Sequence, residues 1–360
     1  MAEGHTDIVA VEAVLNEFSD PETGRSLVET GQIGDLRIED GRLSLSLALT
    51  TFSAPLWDEL RSDVAQTLSQ RFSDLRDVSV EIRPHHRPPE KIGEIGLTAK
   101  CVVAVGSGKG GVGKSTIAAS LALGLKNAGC QVGLMDADVY GPSIPHLLGL
   151  SGRPDVVDQK LQPADADGIR VMSMGFLVPP GEAVVWRGPM LHGAITQFLR
   201  DTAWGDLDYL IIDMPPGTGD IALTLSQLLP LTGAVVVCTP QDVALLDAMK
   251  AVAMFRKVNI PILGMVENMS YFECCDCGKR HDIFGSGGAK RAASEQKMPF
   301  LGEVPINMQI RIHGDEGKTA GNLEDESSSR YFDTICHNLV RGIVDQRRKE
   351  PPLPSLSVLG

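Results

Sequence analysis

Two clusters in this chain have residue types and spacing suited to chemistry. The first is the run Gly106-Ser107-Gly108-Lys109-Gly110-Gly111-Val112-Gly113-Lys114-Ser115-Thr116. Gly108, Gly113, Lys114 and Ser115 fill the pattern G-x-x-x-x-G-K-[ST]. Glycines let the backbone wrap so that successive N–H groups face phosphate oxygens, and a helix starting at the end of the loop adds its dipole. Lys114 then neutralises β/γ-phosphate charge and the Ser115 hydroxyl holds Mg²⁺, which makes ATP the expected ligand of residues 108–116.

Two sets of carboxylates stand where such a site needs them. Asp213 ends the apolar run Tyr209-Leu210-Ile211-Ile212 and leads into Met214-Pro215-Pro216-Gly217, so it is placed to reach Mg²⁺ through water. The Gly217 amide is then positioned to sense a γ-phosphate. Asp136 ends a second apolar run and is expected to join Ser115 and Asp213 at the Mg²⁺ site, with Asp138 two residues on. No Gln or His is obviously placed to orient a water, so Asp138 is expected to polarise the attacking water of an ATP hydrolysis.

The second cluster is Cys274-Cys275-Asp276-Cys277, in which Cys274-x-x-Cys277 aims two sulfurs at one metal. Thiolates favour Zn²⁺ or iron–sulfur iron, and both usually take four protein ligands. One chain offers two, or three if His281 joins. Two cysteines from each protomer of a two-fold dimer complete the count. A redox dithiol and an inert turn are the other readings of the motif, and Cys275 reads as a bystander. Cys101 and Cys238 lie in apolar runs and are expected to be core thiols.

These groups need elements to position them. From Cys101 onward, near-continuous apolar strands (101–106, 131–136, 209–213, 234–239 and 262–266) alternate with helices expected at 115–128, 190–200, 221–229, 243–257 and 328–347. That grammar predicts a doubly wound α/β domain with a mostly parallel sheet, whose ligands sit at the carboxyl ends of the strands. Ahead of it, residues 7–18 predict a helix. The Asp40-Gly41 turn predicts a hairpin whose return strand puts Leu43, Leu45, Leu47 and Leu49 on one face. Pro55 opens a helix to about Phe72, and Val78, Val80 and Ile82 form a last strand. The expected organisation is a small α+β domain at 1–83, a Pro-rich linker at 84–98, a P-loop domain at 99–348 and a tail at 349–360.

Length and charge narrow the classes. A chain of 360 residues corresponds to about two domains of roughly 150 residues. With 33 Lys+Arg against 46 Asp+Glu the formal charge is −13, which argues against nucleic acid as a partner. Residues 1–96 hold 18 acidic and 9 basic side chains, a net −9. No apolar run approaches the roughly 18–20 residues of a membrane span, and the N-terminus has no basic segment ahead of an apolar one. A cytoplasmic protein is expected, with no membrane partner.

The segments KGGVGKST, MDADVYGPSIP, WRGPML, DYLIIDMPPGTGDIALTLSQ and ENMSYFECCDCGKRHDIFGSGG occur in the order found in the Mrp/ApbC family of iron–sulfur cluster carrier ATPases, which this chain resembles over about residues 100–340. KGGVGKST resembles the deviant phosphate loop of the wider MinD/ParA superfamily. The first 95 residues, with SDPETGRSLVETGQIGDLRI and LALTTFSAPL, are similar to the SufT-type iron–sulfur assembly domain, although Ser53-Ala54-Pro55 stands where many relatives carry Cys-Pro. The resemblance implies a homodimer in which Lys109 reaches the partner's phosphates and Asn268 contacts adenine. It also implies a labile 4Fe–4S cluster bridged by Cys274 and Cys277 of both chains, exchanged with cluster scaffold proteins and apo iron–sulfur proteins. A MinD/ParA-type positioning ATPase is the rival within the same superfamily. A zinc-stapled dimeric ATPase without cluster transfer is the rival on ligand chemistry.

Overall fold

A computed structural model describes residues 6–177, 188–217, 219–274 and 276–350. Cys275, Trp186 and Arg187 of the WRGPML segment, and the tail from Pro351 lie outside the described residues. The chain divides into two compact units, residues 1–87 with 340–360, and residues 88–339.

In the first unit, strand Ile33–Glu39 pairs antiparallel with Arg42–Leu49, which pairs parallel with Asp77–Pro84. Asp40 (φ 49°) and Gly41 (φ 75°) make the two-residue turn, both in the left-handed region that suits the twist of a hairpin. Leu43, Leu45, Leu47 and Leu49 are all buried, and helices Ile8–Leu15 and Trp57–Arg71 cover them with Val11, Leu15, Val64 and Leu68. Pro55 falls inside a 3₁₀ turn, Thr51–Leu56, that precedes the longer helix. This is the expected small α+β unit.

The second unit is built on a mostly parallel sheet. Strand Leu97–Gly106 lies between Gly233–Cys238 and Leu207–Asp213. Beyond Leu207–Asp213 come Val132–Asp136 and Ile169–Ser173, and beyond Gly233–Cys238 come Ile262–Glu273 and Phe300–Ile306. Helices Lys114–Asn127, Gly188–Asp201, Gly219–Leu228 and Asp242–Lys257 flank it. Phe198 and Phe255 are almost wholly buried against the strands, each contributing about 1.5–3 kcal/mol by leaving water. Cys101 and Cys238 are buried among them.

Two of the sheet's longer strands, Ile169–Ser173 and Phe300–Ile306, lie outside the expected set, as do the two- and three-residue strands at Lys91–Ile92, Val156–Val157, Lys160–Leu161, Ala164–Ala166 and Arg280–His281, and one strand is longer than expected. The apolar reading stops at 266, yet the strand runs from Ile262 to Glu273. It survives a left-handed residue, Met269 (φ 54°), where pairing with Phe300–Ile306 slips between Asn268 and Phe272. The last helix, Glu326–Lys349, buries Phe332, Ile335, Leu339 and Ile343, so its apolar face is occupied. No helix among the described residues is long and apolar enough to cross a membrane.

Candidate functional site

The phosphate loop lies between the end of strand Leu97–Gly106 and helix Lys114–Asn127, at the carboxyl edge of the sheet. Gly111 and Gly113 both have φ 79°, a conformation that side chains resist. The loop also packs close: a Cβ on Gly108 would fall 2.1 Å from the backbone of Asp247, and one on Gly113 would fall 2.1 Å from the Asn268 amide nitrogen. A cavity of about 500 Å³ opens over the loop, walled by Lys109, Gly110, Gly111, Gly113, Lys114, Ser115 and Thr116 together with Asp138.

The strands bring the predicted carboxylates to this loop. Asp213 and Asp136 are register partners on neighbouring strands. Lys114 Nζ donates to Asp213 Oδ1 at 2.5 Å and lies 3.6 Å from Asp138 Oδ2, and the Ser115 hydroxyl donates to Asp213 Oδ2 at 2.6 Å. Asp138 Oδ1 accepts from the Tyr140 and Gly141 amides, both at 3.2 Å. Asp136 sits behind these groups. It accepts from the Asp138 amide (3.0 Å), the Ile144 amide (3.3 Å) and the Ser173 hydroxyl (2.9 Å). Its carboxylate therefore shapes the turn that presents Asp138. The Gly217 amide donates to the Ser107 carbonyl at 3.0 Å, a bond that a γ-phosphate would have to replace.

Burial dominates the electrostatics. It pushes the Asp213 carboxyl upward, against the opposing pull of Lys114. Burial, then the charge of Asp213, pushes Asp136 up to about 7. Asp213 and Asp138 flank the Lys114 ammonium, and these oxygens with the Ser115 hydroxyl are of the hard type that suits Mg²⁺ once phosphate oxygens add to them. Because the folded Asp136 holds its proton more tightly than the unfolded chain does, its contribution to the stability of metal-free protein is lost as pH rises from about 4 toward about 7. Asp136→Asn, which cannot ionise, is expected to flatten that pH dependence in urea titrations. An unchanged slope would assign the titration elsewhere.

The thiols sit at the tip of a hairpin rather than in a loop. Strand Ile262–Glu273 turns back on Arg280–His281, pairing Phe272 with His281 and Glu273 with Arg280. The Cys274 amide donates to the Lys279 carbonyl at 3.0 Å, and the Gly278 amide to the Cys274 carbonyl at 2.8 Å. Cys274 is half-buried and Cys277 exposed. Backbone N–H groups of Asp276 and Cys277, followed by the Cys277 side chain, hold the Cys274 thiol below its ordinary value, which favours the thiolate that binds metal. Among the described residues no three His, Cys, Asp or Glu converge as a metal site.

Asn268 stands on the same strand as the thiols, and its Nδ2 donates to the Val112 carbonyl of the phosphate loop at 2.9 Å. Sequence reasoning missed its neighbour Glu267, a fully buried carboxylate that accepts from the Gly287 amide (3.1 Å) and the Ala289 amide (2.7 Å). It also missed Tyr140, Ser143 and His146 in the cavity wall. These three follow the Asp136 strand end, so the rule that ligands sit at carboxyl ends of strands could have found them.

Comparison with known proteins gives two matches along the chain. Residues 98–340 match the family model "NUBPL iron-transfer P-loop NTPase", and residues 8–82 match "Iron-sulfur cluster assembly protein". An iron-sulfur cluster carrier protein of Deinococcus radiodurans is 48% identical over 87% of this chain and 89% of its own length. One of Synechocystis sp. is 44% identical over 93% of this chain and 97% of its own. Among solved structures, a nucleotide-binding protein of Archaeoglobus fulgidus in complex with ADP is 44% identical, covering 62% of this chain and 88% of its own with a TM-score of 0.55.

Proposed function

Since the chain belongs to the family of iron-transfer P-loop NTPases and carries an iron–sulfur cluster assembly domain ahead of that region, we propose that it is an ATP-hydrolysing iron–sulfur cluster carrier. The observation that carries this reading is the exposed hairpin tip. It presents Cys274 and Cys277 together, with Cys274 biased toward thiolate, on the same unit as the phosphate loop.

One chain supplies two thiolates, and a two-fold homodimer supplies the four that a 4Fe–4S cluster takes. The cluster is cargo, loaded from scaffold proteins and delivered to apo iron–sulfur proteins. Exposed thiolates suit a ligand that must leave, and a cytoplasmic setting keeps them reduced. On the nucleotide side, residues 108–116 cradle the phosphates of ATP and Lys114 moves from Asp213 to the β/γ-phosphates. Ser115 holds Mg²⁺, with Asp213 reaching it through water and Asp136 adding charge behind. Mg²⁺ supplies charge neutralisation of the phosphates when bound. Asp138, at the cavity wall, polarises the attacking water. Lys109 reaches the partner's phosphates across the dimer, and Asn268 gives up the Val112 carbonyl to contact adenine. The buried apolar face of the last helix counts against a membrane-positioning ATPase.

Anaerobic reconstitution with iron and sulfide tests the reading. Wild-type protein is expected to gain a visible chromophore with about four iron per dimer and to pass it to an apo-acceptor, whereas Cys274→Ala/Cys277→Ala assembles none. Zinc retained by the same cysteines with no chromophore would replace the carrier by a zinc-stapled dimeric ATPase.

A further inference from the structure

The thiol hairpin is anchored at both of its bases by one buried side chain. The outgoing limb is the strand that carries Glu267 and Asn268, and it reaches Cys274 six residues beyond Asn268. The returning limb runs from Arg280–His281 to Gly287, where helix Gly288–Glu295 starts. Glu267 closes the loop, with Oε1 accepting from the Gly287 amide and Oε2 from the Ala289 amide. A carboxylate that is fully buried has no water to fall back on, so these two charge-assisted bonds determine where the returning limb begins.

The same strand position touches the nucleotide machinery. Asn268, the next residue, is bonded to the Val112 carbonyl and packs against Gly113 so tightly that a Cβ there would be 2.1 Å from its amide nitrogen. Any change in the phosphate loop at Val112–Gly113 is therefore felt at Asn268, and Glu267 shares its backbone. Between Asn268 and the thiols the strand contains Met269 in a left-handed conformation, at the slip in its pairing with Phe300–Ile306. There the strand departs from regular pairing, so the limb beyond Asn268 can move with its base without breaking the sheet. Gly288 reinforces the clamp: a Cβ on it would come within 2.8 Å of the Pro240 carbonyl, at the end of the neighbouring strand.

We propose that Glu267 is a positioning residue that couples the nucleotide state of the phosphate loop to the placement of the thiol hairpin, by tying the Gly287–Ala289 base of that hairpin to the strand that Asn268 bonds to the loop. This rests on the carrier reading for its purpose, but its geometry does not require a cluster. Nucleotide binding moves Asn268, Glu267 moves with it, and the two limbs shift together to alter the exposure of Cys274 and Cys277.

The test uses full-length, reduced, cluster-free protein. Iodoacetamide labelling of Cys274 and Cys277 is followed with and without Mg²⁺ and a non-hydrolysable ATP analogue. In wild type the analogue is expected to change the labelling rate by about fivefold, the lower end of typical coupling between sites. Glu267→Gln keeps the shape but turns an amide N–H₂ toward a backbone N–H. It is expected to bind the analogue as wild type does and to label at one rate with or without it. Purely structural damage would lower both affinity and folding instead of removing only the response. Hydrogen exchange at the Gly287 and Ala289 amides of wild type gives a readout that needs no variant, and it is expected to change on adding the analogue. Unchanged exchange and labelling in wild type that binds the analogue would overturn the proposal, as would a full response in folded Glu267→Gln. A response that Glu267→Gln abolishes, in a protein that assembles no cluster, supports the coupling while removing the carrier reading.

Discussion

Lys114→Met is expected to lower ATP turnover by a factor on the order of 10²–10³, the scale of losing a preorganised charge at a reacting group, and to destabilise the nucleotide-free protein as well. The Lys114 ammonium lies 2.5 Å from Asp213 Oδ1, with 6% of the lysine side chain and none of the aspartate side chain exposed. Removing one member of such a buried pair costs about 3–5 kcal/mol, because the other charge is left without compensation. The Ser115 hydroxyl alone remains on Asp213. The aspartate escapes by taking a proton, a course that burial already favours. A carboxyl whose folded pKa is raised stabilises the fold below its unfolded pKa, and that contribution is lost as pH rises through the folded value. The Lys114→Met deficit in urea unfolding is therefore expected to be larger at about pH 8 than at about pH 5. Adding Asp213→Asn is expected to recover most of the stability and none of the turnover. Wild-type turnover in Lys114→Met, or a deficit that ignores pH, would separate this pair from the roles given to it.

Gly108→Ala is expected to impair nucleotide binding by a steric route. The added methyl would lie 2.1 Å from the backbone carbon and oxygen of Asp247 and 2.6 Å from the Ala248 nitrogen. No rotamer relieves a clash between a Cβ and a helix backbone, so the loop must lift from helix Asp242–Lys257. Overpacking of this kind costs about 1–3 kcal/mol, and it misaligns the amides that hold phosphate. Nucleotide affinity is expected to fall by about tenfold to a hundredfold, the free-energy equivalent of that range, as read by titration with a fluorescent ATP analogue. Gly110→Ala is the control for stability, since its Cβ would meet nothing closer than the Pro216 ring at 3.9 Å. Equal thermal stability of the two variants would show that the Asp247 contact yields more easily than its geometry implies.

The parts of this protein legible in its sequence are those governed by local physics. Alternating leucines in 43–49, the Asp40-Gly41 turn, the buried parallel strands and the glycine–lysine loop follow from side-chain period, turn conformation and short spacing, and they appear where expected. The thiol pair was visible, but its setting was not. The apolar run breaks at Glu267-Asn268 and the strand then passes through a left-handed methionine, so period alone ends it at 266 and leaves the cysteines in a loop. Ile169–Ser173 and Phe300–Ile306 escaped for a related reason: each is mixed in polarity, with Arg170 in one and Gly302, Glu303 and Pro305 in the other, and acquires strand character from its neighbour.

What the sequence determined by itself was the inventory and the class: a phosphate loop, its carboxylates and two thiols, on a doubly wound sheet with a small α+β unit ahead of it. The tertiary structure decided which of these groups meet. Lys114 and Asp213 are 99 residues apart in the chain, and Asn268 and Val112 are 156 apart. Neither pair has a periodic signature, because such contacts arise from strand order and from the backbone's freedom to approach at glycine. The use of Glu267 is the clearest case. A charged residue in a strand reads as a break in the pattern until the fold buries it opposite two backbone N–H groups, whose need for an acceptor in the absence of water holds it there.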